Sequence, residues 1–174
     1  MKARDTPSRI VWQGRSWLLR VFQQATPDSH SLERGVIEHP GSVVIVPVQE
    51  DRILMLSQYR LALDKTILEL PAGTRNLDED WQACAERELR EETGYRGAIW
   101  TSLGRVWPAP GITNELMAIY LATDLSWDPL PADEDEEIEV RPLPIGQAIE
   151  MALDGGLMDA KSIVGILRAR TLVE

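Results

Sequence analysis

Gly73-Thr74-Arg75-Asn76-Leu77-Asp78-Glu79-Asp80-Trp81-Gln82-Ala83-Cys84-Ala85-Glu86-Arg87-Glu88-Leu89-Arg90-Glu91-Glu92-Thr93-Gly94-Tyr95 is the stretch whose spacing decides the fold. On a 3.6-residue helix Glu88, Glu91 and Glu92 fall at i, i+3 and i+4, so three carboxylates leave one face within a single turn. Like charges at this spacing destabilise an isolated helix by about 0.2–0.5 kcal/mol per pair. Nothing basic is expected along the same stripe, so the compensating charge should come from outside. All-oxygen ligation favours Mg²⁺, with Mn²⁺ as a substitute, over zinc, and a phosphate-bearing substrate would complete the coordination. Trp81, Ala85 and Leu89 recur every fourth residue on the opposite face, an apolar stripe suited to packing on a sheet. Asp78 or Asp80 can cap the helix start, and Gly94 can end it in a left-handed conformation.

A run of glutamates is commonly no more than a solvated helix face. Such a face has no use for Gly73 and Gly94 at fixed distances on either side. It also has no use for Arg87 eight residues after Glu79, where the two can pair and brace loop against helix. With about 6–7% usage for each of the seven fixed Gly, Glu and Arg positions, a chance match is on the order of one in a million.

The pattern resembles the Nudix box, the signature of a hydrolase superfamily that splits nucleoside diphosphates linked to another moiety. The resemblance implies an α+β fold, a Nudix-type α/β/α sandwich with a mixed sheet and an N-terminal strand appendage. It implies Glu88 and Glu92 as principal metal ligands, Glu91 reaching a further ion or its water, and the Ala72 carbonyl as another ligand. Gly73, Glu79, Arg87 and Gly94 become structural residues of the motif. Outlying segments are similar to the ADP-ribose pyrophosphatase branch: His39-Pro40-Gly41-Ser42-Val43, Gln58-Tyr59-Arg60, Glu69-Leu70-Pro71-Ala72-Gly73, Trp107-Pro108-Ala109-Pro110-Gly111 and Asp159-Ala160-Lys161-Ser162. Pro110, fifteen residues after Tyr95, matches a proline of that branch. The implied reaction is Mg²⁺-dependent hydrolysis of ADP-ribose to AMP and ribose 5-phosphate. Alternatives are a GDP- or UDP-linked hexose as substrate, or a module that senses ADP-ribose without cutting it. An mRNA-cap or oxidised-nucleotide hydrolase is disfavoured by the proline and by acidic composition.

A chain of 174 residues fits a single domain. Residues 1–31 are expected as N-terminal strands serving dimerisation and the substrate pocket, and 32–174 as the catalytic core; the resembling branch implies a homodimer. The formal charge of −10 argues against nucleic-acid binding, which needs a basic footprint. No apolar run is long enough to cross a membrane, and a lone Cys84 allows no intrachain disulfide, so a cytoplasmic setting is expected. Cys84 itself reads as a small core residue.

Alternation suggests two strands within Ile10–Gln24 turning at Gln13-Gly14-Arg15, then strands at Leu32–Glu38, Ser42–Val48, Arg52–Gln58, Ala98–Trp107 and Leu116–Leu125. Ile145–Leu153 and Ala160–Arg170 fit amphipathic helices separated by Gly155-Gly156.

Hydrolysis needs a base. The acidic segment before Ile138 is its best source, and the branch favours Glu134, then Glu136, as the catalytic carboxylate, working with Glu91 at the metal. An anionic substrate also needs fixed cations, for which Arg60 comes first and Arg34 second. Trp107 is the candidate aromatic pocket wall. Glu115 resembles a recurrent acidic position without an assigned role, and His39 before Pro40 reads as structural.

Overall fold

The computed structural model describes residues 6–26, 28, 30–131 and 137–173. Its first three strands, β1 (Ser8–Gln13), β2 (Leu18–Ala25) and β3 (Ser31–Glu38), form an antiparallel meander of their own. β3 is the strand expected at Leu32–Glu38, but it pairs along its whole length with β2, from Leu18 opposite Glu38 to Ala25 opposite Ser31. The boundary expected at residue 31 therefore needs correction: the appendage sheet runs to Glu38. Alternation within a strand marks its buried face and says nothing about which neighbour it will choose.

The second sheet is built on β4 (Ser42–Gln49), whose run Ser42-Val43-Val44-Ile45-Val46-Pro47-Val48 is buried throughout. A near-continuous apolar strand belongs at the centre of a sheet covered on both faces. Around it lie β5 (Arg52–Arg60), β6 (Lys65–Glu69), β7 (Ala72–Thr74), β8 (Tyr95–Val106), β9 (Met117–Trp127) and β10 (Ile138–Pro144), in the order β10-β5-β4-β9-β8, with β6 on β5 and β7 on β4. β4 and β9 are parallel, Val44 opposite Ile119, and the other pairings are antiparallel, so the sheet is mixed.

Helix α1 (Trp81–Thr93) covers one face, where Cys84, Ala85 and Leu89 meet Val43, Ile45 and Ala122. Helices α2 (Ile145–Asp154) and α3 (Ala160–Val173) cover the other, with Ala148, Ile149, Ile166 and Ala169 against Val44, Val46, Met55 and Ile119. The result is the expected α/β/α sandwich with an appended strand sheet. Both late helices form where predicted, and Gly155 ends α2 at φ 88°. The short β6 and β7 carry no sequence signal, because five and three residues are too few for an alternation to show. Among the described residues no helix is long and apolar enough to cross a membrane.

Ile45 is fully buried under α1, whereas Ile99 on β8 is 57% exposed. Ile45→Ala is expected to cost about 2–5 kcal/mol of unfolding free energy by denaturant titration, and Ile99→Ala less than about 0.5 kcal/mol.

Candidate active site

The start of α1 is set by Asp80, whose carboxylate accepts the Gln82 and Ala83 N–H groups at 2.9 and 3.2 Å. Its end is set by Gly94 at φ 78°, a conformation that favours glycine. These caps fix the phase of the helix, so that while Leu89 enters the core, Glu88, Glu91 and Glu92 face β7 and the loop that follows it.

Gly73 of β7 is the reason this approach is possible. A Cβ placed there would overlap the Glu88 carboxylate, so any larger residue would push the acid away from the backbone it rests on. Glu92 is buried, and its Oε2 accepts the Ala72 N–H at 2.9 Å, tying the helix to the residue whose carbonyl is the expected metal ligand.

Arg87 sits at the centre. Its Nε and Nη2 hold the two Glu79 oxygens at 2.8 and 3.0 Å, the brace expected from their spacing. Its Nη1 also reaches Glu88 Oε1 at 2.7 Å and Glu91 Oε2 at 2.8 Å. The expectation that nothing basic would offset the acidic stripe is thus wrong. A guanidinium is long enough to fold back over the carboxylates one and four residues further on, which helical phase alone does not reveal. The Arg87 bond holds the Glu79 carboxyl down at about 2, from an ordinary 4.5, and the same carboxylates raise the pKa of Arg87.

Ala72, Gly73, Arg87, Glu88 and Glu91 line one cavity of about 380 Å³, and Arg60 at the end of β5 borders it. Two other lining residues, Arg15 and Ser16, come from the β1–β2 turn. The sequence marks that turn but carries no sign of where its tip lands. A second cavity of about 470 Å³ shares Arg15, Ser16 and Asn76 with the first and adds Trp17, His39 and Leu77. Trp17 lies 4.3 Å from Trp12, ring centre to ring centre.

Arg34 and Trp107 are not brought to this cleft. Arg34 faces a hollow on the appended sheet with Phe22 and Val36, and Trp107, 66% exposed, lies beside Pro110 and Gly111. Glu134 and Glu136 fall outside the described residues; the strand after them, β10, begins at Ile138 opposite Gln58, two residues before Arg60. Glu115 accepts a hydrogen bond from Ser42 Oγ at 2.7 Å. His39 Nδ1 accepts the Gly41 N–H at 3.1 Å, and burial lowers its pKa, so it serves the loop as a neutral imidazole. Burial likewise pushes the Cys84 thiol up, in keeping with a core role.

A family model described as NUDIX domain matches residues 38–163. The chain is 32% identical over 159 residues to the ADP-ribose pyrophosphatase of Bacillus subtilis (strain 168), covering 90% of this chain and 86% of that protein. The same figures relate it to the methanol dehydrogenase activator of Bacillus methanolicus. A crystal structure of an ADP compounds hydrolase, 21% identical, superposes with a TM-score of 0.81 over 96% of this chain and 91% of its own, which establishes a shared fold.

Because the folded Glu79 pKa is depressed, its stabilising contribution is complete above pH 4.5 and lost as pH falls toward 2. Acid unfolding followed by circular dichroism should show Glu79→Gln less stable than wild type at pH 7, the two converging as pH falls through that window. Gly73→Ala should fold yet lose activity at least about a hundredfold, through displacement of Glu88.

Proposed function

The chain belongs to the NUDIX family, and on that premise we propose that it hydrolyses the pyrophosphate bond of a nucleoside diphosphate sugar, ADP-ribose first, giving AMP and ribose 5-phosphate. The observation that carries this is the Glu88 carboxylate laid against a backbone without a Cβ, facing a cleft that three arginines border. Acid on one wall and cation on the other suit a polyanion that arrives with a divalent ion.

The donor set fits Mg²⁺ or Mn²⁺: Glu88, Glu91, Glu92 and the Ala72 carbonyl offer only oxygens. Among the described residues, no three acidic, His or Cys side chains already converge as a cage, and Arg87 Nη1 stands between Glu88 and Glu91 where positive charge is needed. When bound, the ion would neutralise phosphate oxygens and acidify a water. Arg87 would then remain held by both oxygens of Glu79, so freeing Glu88 and Glu91 leaves the loop braced.

In the reaction, water's oxygen bonds to one phosphorus and the bridging P–O bond breaks, its electron pair leaving with the departing phosphate. The water's proton passes to a carboxylate, assigned to Glu134, with Glu136 as second choice. Support for this assignment is the position of β10, which begins beside Gln58 and so near Arg60. Arg60 and Arg15 bind phosphate oxygens. Trp17, in the adjoining cavity, replaces Trp107 as the wall for the base, and Arg34 would contribute only across a homodimer. Exposed Ile10, Val11, Trp12 and Leu32 on the appended sheet support such a dimer, and light scattering at twice the chain mass would agree with it. A lone, buried Cys84 thiol is what a reducing, cytoplasmic setting would keep, and that setting is part of the proposal.

Purified protein with Mg²⁺ should release AMP from ADP-ribose at least about tenfold faster, in kcat/KM, than it cleaves GDP-mannose or UDP-glucose. A reversed order would transfer the activity to a hexose conjugate. Glu92→Gln should reduce kcat by about a hundredfold or more while ADP-ribose still binds; a wild-type protein that binds ADP-ribose and cuts nothing would instead be a sensor.

A further inference from the structure

Behind the cleft lies a chain of alternating charge that the reaction does not itself require. Glu69, 1% exposed, ends β6 three residues before Ala72. Its Oε1 accepts from Arg60 Nε at 2.7 Å and its Oε2 from Lys161 Nζ, in the first turn of α3. Lys161 also donates to Asp159 Oδ2 at 2.8 Å. That same oxygen takes the Ser162 N–H and hydroxyl, and Ser162 Oγ accepts the Leu70 N–H at 2.6 Å. The order is cation, anion, cation, anion: Arg60, Glu69, Lys161, Asp159.

Such a chain is costly as mere scaffolding. Buried ion pairs can commonly be replaced by apolar residues with no loss of stability, so their retention calls for a reason other than folding. The chain opens most widely at its Arg60 end, Asp159 at the other end being 17% exposed. The Arg60 side chain is 38% exposed and borders the cleft that Glu88 and Glu91 line, while Lys161 and Glu69 are enclosed. The two cations divide the Glu69 carboxylate, one oxygen each. If Lys161 were lost, both oxygens would be open to the guanidinium, whose fork fits a carboxylate edge-on, and Arg60 would be drawn back from the cleft.

We propose that Glu69 and Lys161 are positioning residues that set the Arg60 guanidinium against the substrate's diphosphate, so that the first turn of α3 controls affinity for substrate. The inference rests on the function proposed above and deepens it. Neither residue touches substrate; each acts through Arg60.

The test is a double-mutant cycle on ADP-ribose hydrolysis with Mg²⁺, using wild type, Arg60→Ala, Lys161→Met and the double variant. Arg60→Ala should raise KM about tenfold and Lys161→Met about fivefold, with kcat within about threefold of wild type in each. The double variant should be no worse than Arg60→Ala alone, within about twofold, because Lys161 has nothing to position once the guanidinium is gone. Multiplicative effects, a KM rise of about fiftyfold in the double variant, would overturn the proposal. So would a Lys161→Met protein with lowered Tm and unchanged KM. Should Lys161→Met fail to fold, Glu69→Gln combined with Lys161→Gln removes both charges together and enters the same cycle, with the same two outcomes. A wild-type protein inert on every nucleoside diphosphate sugar would remove the activity but not this inference. The cycle is then read on the Kd of Mg²⁺-pyrophosphate by calorimetry, where non-additive weakening supports it and additive or absent weakening refutes it.

Discussion

The Arg87 guanidinium, held by the Glu79 fork and extended to Glu88 and Glu91, is the interaction on which the site depends. It closes the loop after β7 onto α1 and gathers carboxylates that would otherwise repel one another. Ion pairs on an open surface contribute little, but here a single cation faces three partly buried acids, and removing it would leave all three without their nearest counter-charge. On the proposed function the arrangement would also permit exchange: two of the three acids are held at one guanidinium nitrogen, so a divalent ion would take them over while the Glu79 brace persists.

Around that centre the fold supplies rigidity from both sides. The Val43 and Ile45 face of β4 presses on Leu89 and so fixes the rotation of α1. The Val44 and Val46 face presses on α2 and α3, and α3 in turn reaches back through Lys161 and Ser162 to Glu69 at the end of β6 and Leu70 just after it. Gly73 completes the geometry by what it lacks. The cleft is therefore formed by α1, by the ends of β5 and β7 in the central sheet and by a turn of the appended sheet, which is how a site can be precise although some of its residues come from turns and strand ends.

Much of this was legible in the sequence, for reasons particular to each part. The box could be read because its chemistry demands side-chain identity at fixed helical phase, and Glu79 with Arg87, Gly94 and the apolar stripe all behave as their spacing requires. β4 could be read because burial on both faces leaves an uninterrupted apolar run. Arg15 could not, since a cation at a turn tip carries no periodicity and its destination depends on how a separate sheet docks. Glu69 and Lys161 stand in two recognisable segments, yet they are 92 positions apart, and no local pattern announces that contact. Trp107 stands in a recognisable segment, whereas Trp17, which lines the cavity adjoining the cleft, stands in none, so the sequence carries no sign of its position. The reach of Arg87 to Glu88 and Glu91 has no sequence signal because a helical wheel treats side chains as points, whereas an extended arginine side chain can reach across a turn.

The central claim, that these carboxylates grip a divalent ion beneath a diphosphate, is tested most directly by the paramagnetic resonance of Mn²⁺ titrated into the protein with and without ADP-ribose. Wild-type protein should remove free Mn²⁺ signal, more strongly when ADP-ribose is present, and a Glu88→Gln, Glu92→Gln protein that remains folded should not. Equal binding by both proteins, or none by wild type with ADP-ribose present, would contradict it.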